Sequence, residues 1–275
     1  MNPIESSRGS ASRMPALFIG HGSPMNAIED NGFRRGWSEL ARTLPRPKGV
    51  LCISAHWETR GVFVTSSDRP ETIHDFYGFP RELFAVRYPA PGDPALARAV
   101  AEMVTQAPIG LDSERGLDHG AWSVLCAIFP KAEIPVVQLS LDTSRPASFH
   151  SALAEELAPL RDQGVLVLGS GNMVHNLGMI DFHRPDGYDW AVRFNDELKR
   201  RIRSGDHAAL ADEAALGADG RRAVPTPEHY LPLLYAVALK DDGDDLTLFN
   251  DAVTMGSISM TSIVIRPGGE GTKRT

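Results

Sequence analysis

Gly164-Val165-Leu166-Val167-Leu168-Gly169-Ser170-Gly171-Asn172-Met173-Val174-His175-Asn176 is the stretch from which the fold is read. Its first part, Gly164 to Gly169, is short and apolar throughout, the composition of a strand buried on both faces of a parallel sheet. Its second part is a small-residue turn that ends on a histidine. The same strand-then-histidine pattern occurs twice more. Ala16-Leu17-Phe18-Ile19 runs into Gly20-His21-Gly22-Ser23-Pro24, and Gly49-Val50-Leu51-Cys52-Ile53-Ser54 runs into Ala55-His56-Trp57. Open α/β sheets gather their ligands outside the carboxyl ends of the strands, so these histidines point to one rim.

Working outward, short β-branched or apolar runs alternate with longer amphipathic ones. Pro135 to Ser140, Leu246 to Phe249 and Ile258 to Ile265 read as further strands. Gly61 to Ser66 reads as another, paired with its predecessor across a Glu58 to Arg60 turn. Phe33 to Leu44, Pro94 to Gln106, Ser148 to Arg161, Tyr188 to Arg203 and Glu228 to Lys240 have helical spacing. Pro94 stands where helices accept proline. No internal repeat or Pro/Gly/Ser-rich linker divides the chain. The expectation is one α/β domain over 14–267, a central mostly parallel or mixed sheet flanked by helices, with a metal site at the carboxyl rim. Residues 1–13 read as a disordered tail and 268–275 as a loose one.

Bulk properties exclude several classes. The 275 residues carry a net charge of -7, with 42% hydrophobic and 23% charged residues, as in soluble globular proteins. No basic stripe suits a nucleic acid. Lys199-Arg200-Arg201-Ile202-Arg203 reads as the solvated last turn of a helix, favoured by the helix dipole. No apolar run reaches the length of a membrane span, and Met1 to Arg13 has no secretory core. The two cysteines, Cys52 and Cys126, form no CxxC and read as buried free thiols of a reducing compartment. A cytoplasmic enzyme without nucleic-acid or membrane partners is the expectation, and nothing in the pattern specifies an oligomer.

The chemistry sits in the junctions. Gly20 and Gly22 flank His21 and clear space above it for a ligand. His229 opens a helix behind Pro225 and Pro227, with Glu228 beside it as a helix-start carboxylate. His175 follows a glycine turn that lacks the spacing and lysine of a phosphate loop. His119 precedes a helix and adjoins Asp118, an acid that either orients it or caps the helix. His74 lies in the aromatic segment Ile73 to Pro80, which either lines a pocket for a planar ligand or packs on the core. His150, His183 and His207 fall in polar or helical-surface contexts and read as solvated. No HExxH or GxSxG occurs, which removes the common zinc protease and serine hydrolase arrangements.

Five segments in order, Gly20-His21-Gly22-Ser23-Pro24, Ser54-Ala55-His56-Trp57, Asp75-Phe76-Tyr77-Gly78-Phe79-Pro80, Gly116-Leu117-Asp118-His119-Gly120 and Pro225-Thr226-Pro227-Glu228-His229, carry a family resemblance. Together they resemble the class III (LigB-type) extradiol ring-cleavage dioxygenases, in the branch similar to 4,5-DOPA extradiol dioxygenase, from about Pro15 to Ile265. The resemblance implies one divalent metal ion held by His21, His56 and His229, with His175 able to approach it as well. It implies catalytic roles for His175, as general base or acid, and for His119, near the substrate. Tyr77, Phe79 and His74 are the expected walls for the ring of a small catechol, which reacts with dioxygen to give a semialdehyde. Better-known class III enzymes use two histidines and a glutamate for iron(II). An all-histidine set suits zinc(II) as a bound metal as well as iron(II) for activity. Two other readings fit a histidine rim: a zinc-dependent hydrolase, and a non-catalytic protein that binds a metal or an aromatic ligand.

Overall fold

The computed structural model describes residues 13–268, so the tails expected at 1–13 and 268–275 lie outside it except for Arg13 and Gly268. The two tail residues that are described are engaged. Arg13 pairs with Asp162 and Asp241, and Gly268 N–H donates to the Gly243 carbonyl.

Strands β1 (Ala16–Gly20), β2 (Gly49–Thr59), β3 (Val62–Thr65), β4 (Ile109–Asp112), β5 (Val136–Asp142), β6 (Val165–Gly171), β7 (Asp244–Phe249) and β10 (Ser262–Pro267) form one sheet. A separate hairpin joins β8 (Val253–Thr254) to β9 (Ile258–Ser259). The sheet order is β4-β3-β5-β2-β6-β1-β10-β7. Its centre, β5-β2-β6-β1, is wholly parallel; β10 and β7 join antiparallel on one side and β3 meets β5 antiparallel on the other. The mixed sheet flanked by helices is the α/β architecture expected.

The side-chain period of two sorts these strands onto two cores. Phe18, Leu51, Ile53, Val137, Leu139 and Val167 face one way, against the helices at Pro94–Met103, Ala147–Glu156, Asp189–Ser204 and Leu231–Val237. Leu17, Ile19, Val50, Cys52, Leu166 and Leu168 face the other, against the helices at Gly32–Ala41 and His119–Ile128. A sheet covered on both faces explains why the central strands are apolar runs and not alternating ones.

Several expectations need correction. Val62–Thr65 does not pair with its predecessor: it crosses to β5 and β4, because β2 continues to Thr59 and its edge is already taken by β5. Ile258 to Ile265 is not one strand; the first two residues belong to the hairpin, and sheet pairing starts at Ser262. The helix expected over Ser148 to Arg161 is broken before Pro159, which lacks the N–H to continue it. Arg161 at its end is fully buried, bonded to the Met14 and Leu239 carbonyls and to Asp244. His150 is buried and not solvated: Tyr235 OH donates to its Nδ1 at 2.9 Å and its Nε2 donates to the Asp142 carbonyl at 3.1 Å. His207 is half-buried, and His183 is exposed. Of the two free thiols Cys52 is buried and Cys126 only half-buried.

Candidate metal centre and active site

The carboxyl ends of the parallel strands open onto the site. β1 ends at Gly20 and hands over to His21. β2 keeps register with β5 only as far as Ile53, and His56 lies in the irregular stretch before pairing resumes at Glu58. β6 ends at Gly171, whose missing side chain lets the His229 carbonyl lie against it. The N–H of Asn172 then donates to that carbonyl at 2.8 Å, seating the His229 segment on the sheet rim. The next helix, Leu231–Val237, packs its Pro232 carbonyl against Gly169 in the same way.

These elements bring five histidines together. The ring centroids of His21, His56 and His229 form a near-equilateral triangle with sides of 5.0, 5.3 and 4.9 Å. His119 packs on His56 with centroids 3.8 Å apart, and His175 stacks on His229 at 3.4 Å and 8°. One ring nitrogen from each of His21, His56 and His119 falls within a 4.8 Å span; His175, Glu228 and His229 make a second such group.

Hydrogen bonds fix which nitrogens face inward. Ser170 Oγ donates to the Gly120 carbonyl at 2.6 Å, so it accepts from His21 Nδ1 at 3.0 Å and leaves His21 Nε2 without a proton. Glu228 Oε1 accepts from His229 Nδ1 at 3.0 Å, leaving His229 Nε2 deprotonated, buried and without a partner. His21 Nε2 and His56 Nε2 face each other at 3.1 Å. Burial, then the neighbouring imidazoles, pushes the pKa of His21 and of His229 far below the ordinary histidine value. His56 is lowered to about 3, mainly by burial and then by His119, and His175 to about 4, mainly by burial. Neutral imidazoles clustered this closely are the donor set of a divalent transition metal, and His21 and His229 are each oriented by a hydrogen bond on Nδ1, as metal-bound histidines are. The residues fit such an ion.

His119 is held differently. Its Nδ1 donates to Asp75 at 2.9 Å, and its backbone N–H reaches the same carboxylate oxygen. That contact holds the Asp75 carboxyl below the usual carboxylate range against the upward push of burial. The neighbouring acid Asp118 does not orient His119. It caps the helix at Ala121 N–H and ties that helix to β2 and β5 through Ser54 and Gln138. Nothing local in the sequence assigns Asp75 this role, since its partner lies 44 positions away. Ser170 likewise reads in the sequence only as part of a glycine turn.

The histidines floor a cavity of about 900 Å³. Tyr77 and Phe79 are on its wall with Phe76, Leu177 and Phe182. His74 is not. It stands one layer behind, packed against Phe76, Phe84 and Trp122, with its Nε2 donating to the Val86 carbonyl at 3.1 Å. Of its two expected placements the structure takes the core one.

Residues 15–260 match the family described as the catalytic LigB subunit of aromatic ring-opening dioxygenase. The chain belongs to the LigB family. It is 46% identical to the 4,5-DOPA dioxygenase extradiol of Escherichia coli K12, over 93% of this chain and 96% of that one. It is 35% identical to the protein of the same name from Beta vulgaris, over 90% and 94% of the two chains. The crystal structure of an uncharacterized Escherichia coli K12 protein superposes with a TM-score of 0.80 at 42% identity, covering 92% of this chain and 99% of that one. As a LigB protein the chain is a metal-dependent extradiol dioxygenase acting on aromatic rings. Among its described residues no helix is long and apolar enough to cross a membrane.

Proposed function

We propose that this LigB enzyme opens the ring of a DOPA-like catechol with dioxygen, next to the diol, to give a semialdehyde. One observation carries the reading: three clustered imidazoles, two of them with bare Nε2 atoms, floor an aromatic-walled cavity. His21, His56 and His229 are the residues that hold the ion. Iron(II) is the working metal, because zinc(II) has no redox chemistry to offer dioxygen and binds as a competitor. When bound, the ion supplies Lewis acidity that lowers the pKa of the catechol hydroxyls and the electron density that dioxygen activation needs.

The chain supplies the remaining parts. His175 lines the cavity, and its ring has no hydrogen-bond partner among the described residues. It is the base that accepts a catechol hydroxyl proton and the acid that later returns one. His119 has its Nδ1 on Asp75, so its Nε2 faces the cavity as an acceptor. A proton arriving there makes an imidazolium whose charge Asp75 balances, and that imidazolium stabilises negative charge developing on the reacting oxygens. Tyr77 and Phe79 flank the ring from the cavity wall. The free thiols of Cys52 and Cys126 support a reducing compartment such as the cytoplasm as the enzyme's location.

Apoprotein reloaded anaerobically with iron(II) or with zinc(II), then given oxygen and a set of catechols, tests the reading. Iron-dependent oxygen uptake with a yellow ring-opened product is expected. Turnover without oxygen in the zinc form would replace it with hydrolase chemistry.

A further inference from the structure

None of the 25 residues lining the cavity is lysine or arginine. The arginines on nearby elements are turned to other partners. Arg34 donates to the carbonyls of Asn26 and Ala27, Arg115 to the His56 carbonyl and to Asp118, and Arg184 pairs with Asp186. Two carboxylates do line the cavity. Asp75 is committed to His119, whereas Glu29, exposed where the chain leaves the short 3-10 turn at Pro24–Ala27, has no cation within 4 Å among the described residues. Asn26 and Asn31, hydrogen-bonded to each other at 2.7 Å, stand beside it on the same wall. Asn26 is tied in turn to the His21 carbonyl at 2.9 Å, so the Glu29 segment is braced directly on the metal-side floor.

The volume matters as well. At about 900 Å³ the cavity is at the large end for small-molecule sites and has room for a side chain beyond a catechol ring. A tail that ends in a carboxylate would enter a space that offers it no counter-charge and a second carboxylate across the way. A divalent ion among neutral imidazoles does not change this, because its charge is met by the ionised ring oxygens of the catechol.

We infer that this site selects catechols whose alkyl side chain ends in an ammonium group over those ending in a carboxylate, with Glu29 as the specificity-determining residue. The inference rests on the catechol-cleaving function above and adds the charge class of the substrate. For an amino acid such as DOPA, the ammonium turns to Glu29 and the carboxylate toward solvent. A formal charge on a half-screened wall discriminates by about tenfold between opposite tails.

Three catechols that share a two-carbon spacer test it: dopamine, 4-ethylcatechol and 3,4-dihydroxyphenylpropionate, with cationic, neutral and anionic tails. Two readouts are taken, kcat/KM for oxygen uptake by the iron(II) enzyme and Kd by anaerobic calorimetry on the zinc(II) form. Dopamine is expected to lead and the propionate to trail in both. Glu29→Gln should shrink the dopamine-to-propionate ratio about tenfold, and Glu29→Lys should invert it. Raising salt to 0.5 M should compress the wild-type ratio, since exposed charges are screened. A propionate that equals or beats dopamine, or a ratio unmoved in Glu29→Lys, overturns the inference and leaves the dioxygenase reading standing. Should none of the three be turned over, that reading falls, and the binding order still decides the role of Glu29. Failure of all three to bind overturns both. Glu29 is exposed, so both variants are expected to fold.

Discussion

Glu228 accepts a hydrogen bond at 3.0 Å from His229 Nδ1, and this contact leaves His229 Nε2 bare, buried and aimed into the histidine cluster. A carboxylate behind a ligating histidine fixes its tautomer and raises its basicity. Glu228→Ala is therefore expected to weaken metal binding by about 10- to 100-fold, with the fold unchanged. Competition against a chromophoric chelator measures the loss. An unaltered affinity would mean that His229 is oriented by its backbone alone.

Removing the ion should expose the cost of the site. His21 Nε2 and His56 Nε2 approach to 3.1 Å, and burial keeps both rings neutral. Buried acceptor nitrogens such as His21 Nε2 and His229 Nε2 gain little until a cation joins them. Chelator-treated protein should melt below the loaded form, by an amount equivalent to about 2.7 kcal/mol when free metal stands at 100 times its Kd. His21→Ala and His56→Ala should each abolish stoichiometric binding with an unchanged far-UV circular dichroism spectrum. Loaded and stripped wild-type protein melting at the same temperature would argue against a site of this kind.

Most strands, the sheet class and the histidine rim were legible because apolar runs and the small residues after them are local signals; the short, partly exposed edge strand Ile109–Asp112 carries no such run and was not. Val165–Gly171 and Ala16–Gly20 differ from the expected ranges by a residue or two. Pairing was less legible. β3 follows β2 after two residues, yet it pairs with β5, whose register no nearby residue encodes. The same limit applies in the site. Asp118 adjoins His119 in sequence and caps a helix, while Asp75, remote in sequence, holds the imidazole. His150 was illegible for a related reason: the partner that buries it, Tyr235, comes from a helix 85 positions on.

That buried histidine predicts an acid-sensitive fold. Burial lowers the pKa of His150 to about 4, while an unfolded histidine titrates near 6.5. The neutral form is the one the fold accepts. Stability from this group is complete above about pH 6.5 and is lost as pH falls toward 4, because the unfolded chain takes up the proton first. Between pH 7.5 and pH 5 the loss amounts to about 2 kcal/mol. Urea unfolding at the two pH values, compared with His150→Gln, isolates it from the metal-site histidines. A variant with the wild-type pH slope would remove His150 as the cause.

Gly120 joins the helix start to the site and offers a test of how tightly the first ligands are placed. A β-carbon there would meet Ser54 Oγ and the Cδ2 atom of His56. Neither can yield freely. Ser54 Oγ donates to Asp118 at 2.7 Å, and Asp118 caps the same helix, so moving the serine disturbs the link between the helix and β2. The His56 ring is confined between His21 and His119, with centroids 5.0 and 3.8 Å away. Gly120→Ala is thus expected to displace the His56 imidazole by a few tenths of an ångström or more, at a cost of about 1–3 kcal/mol in stability. Metal affinity should fall further than stability does, because coordination tolerates about 0.2 Å of error in a bond length. Measuring the melting temperature of the stripped protein beside the metal Kd separates the two effects. Equal affinity in a destabilised variant would show that the helix start, and not His56, gives way.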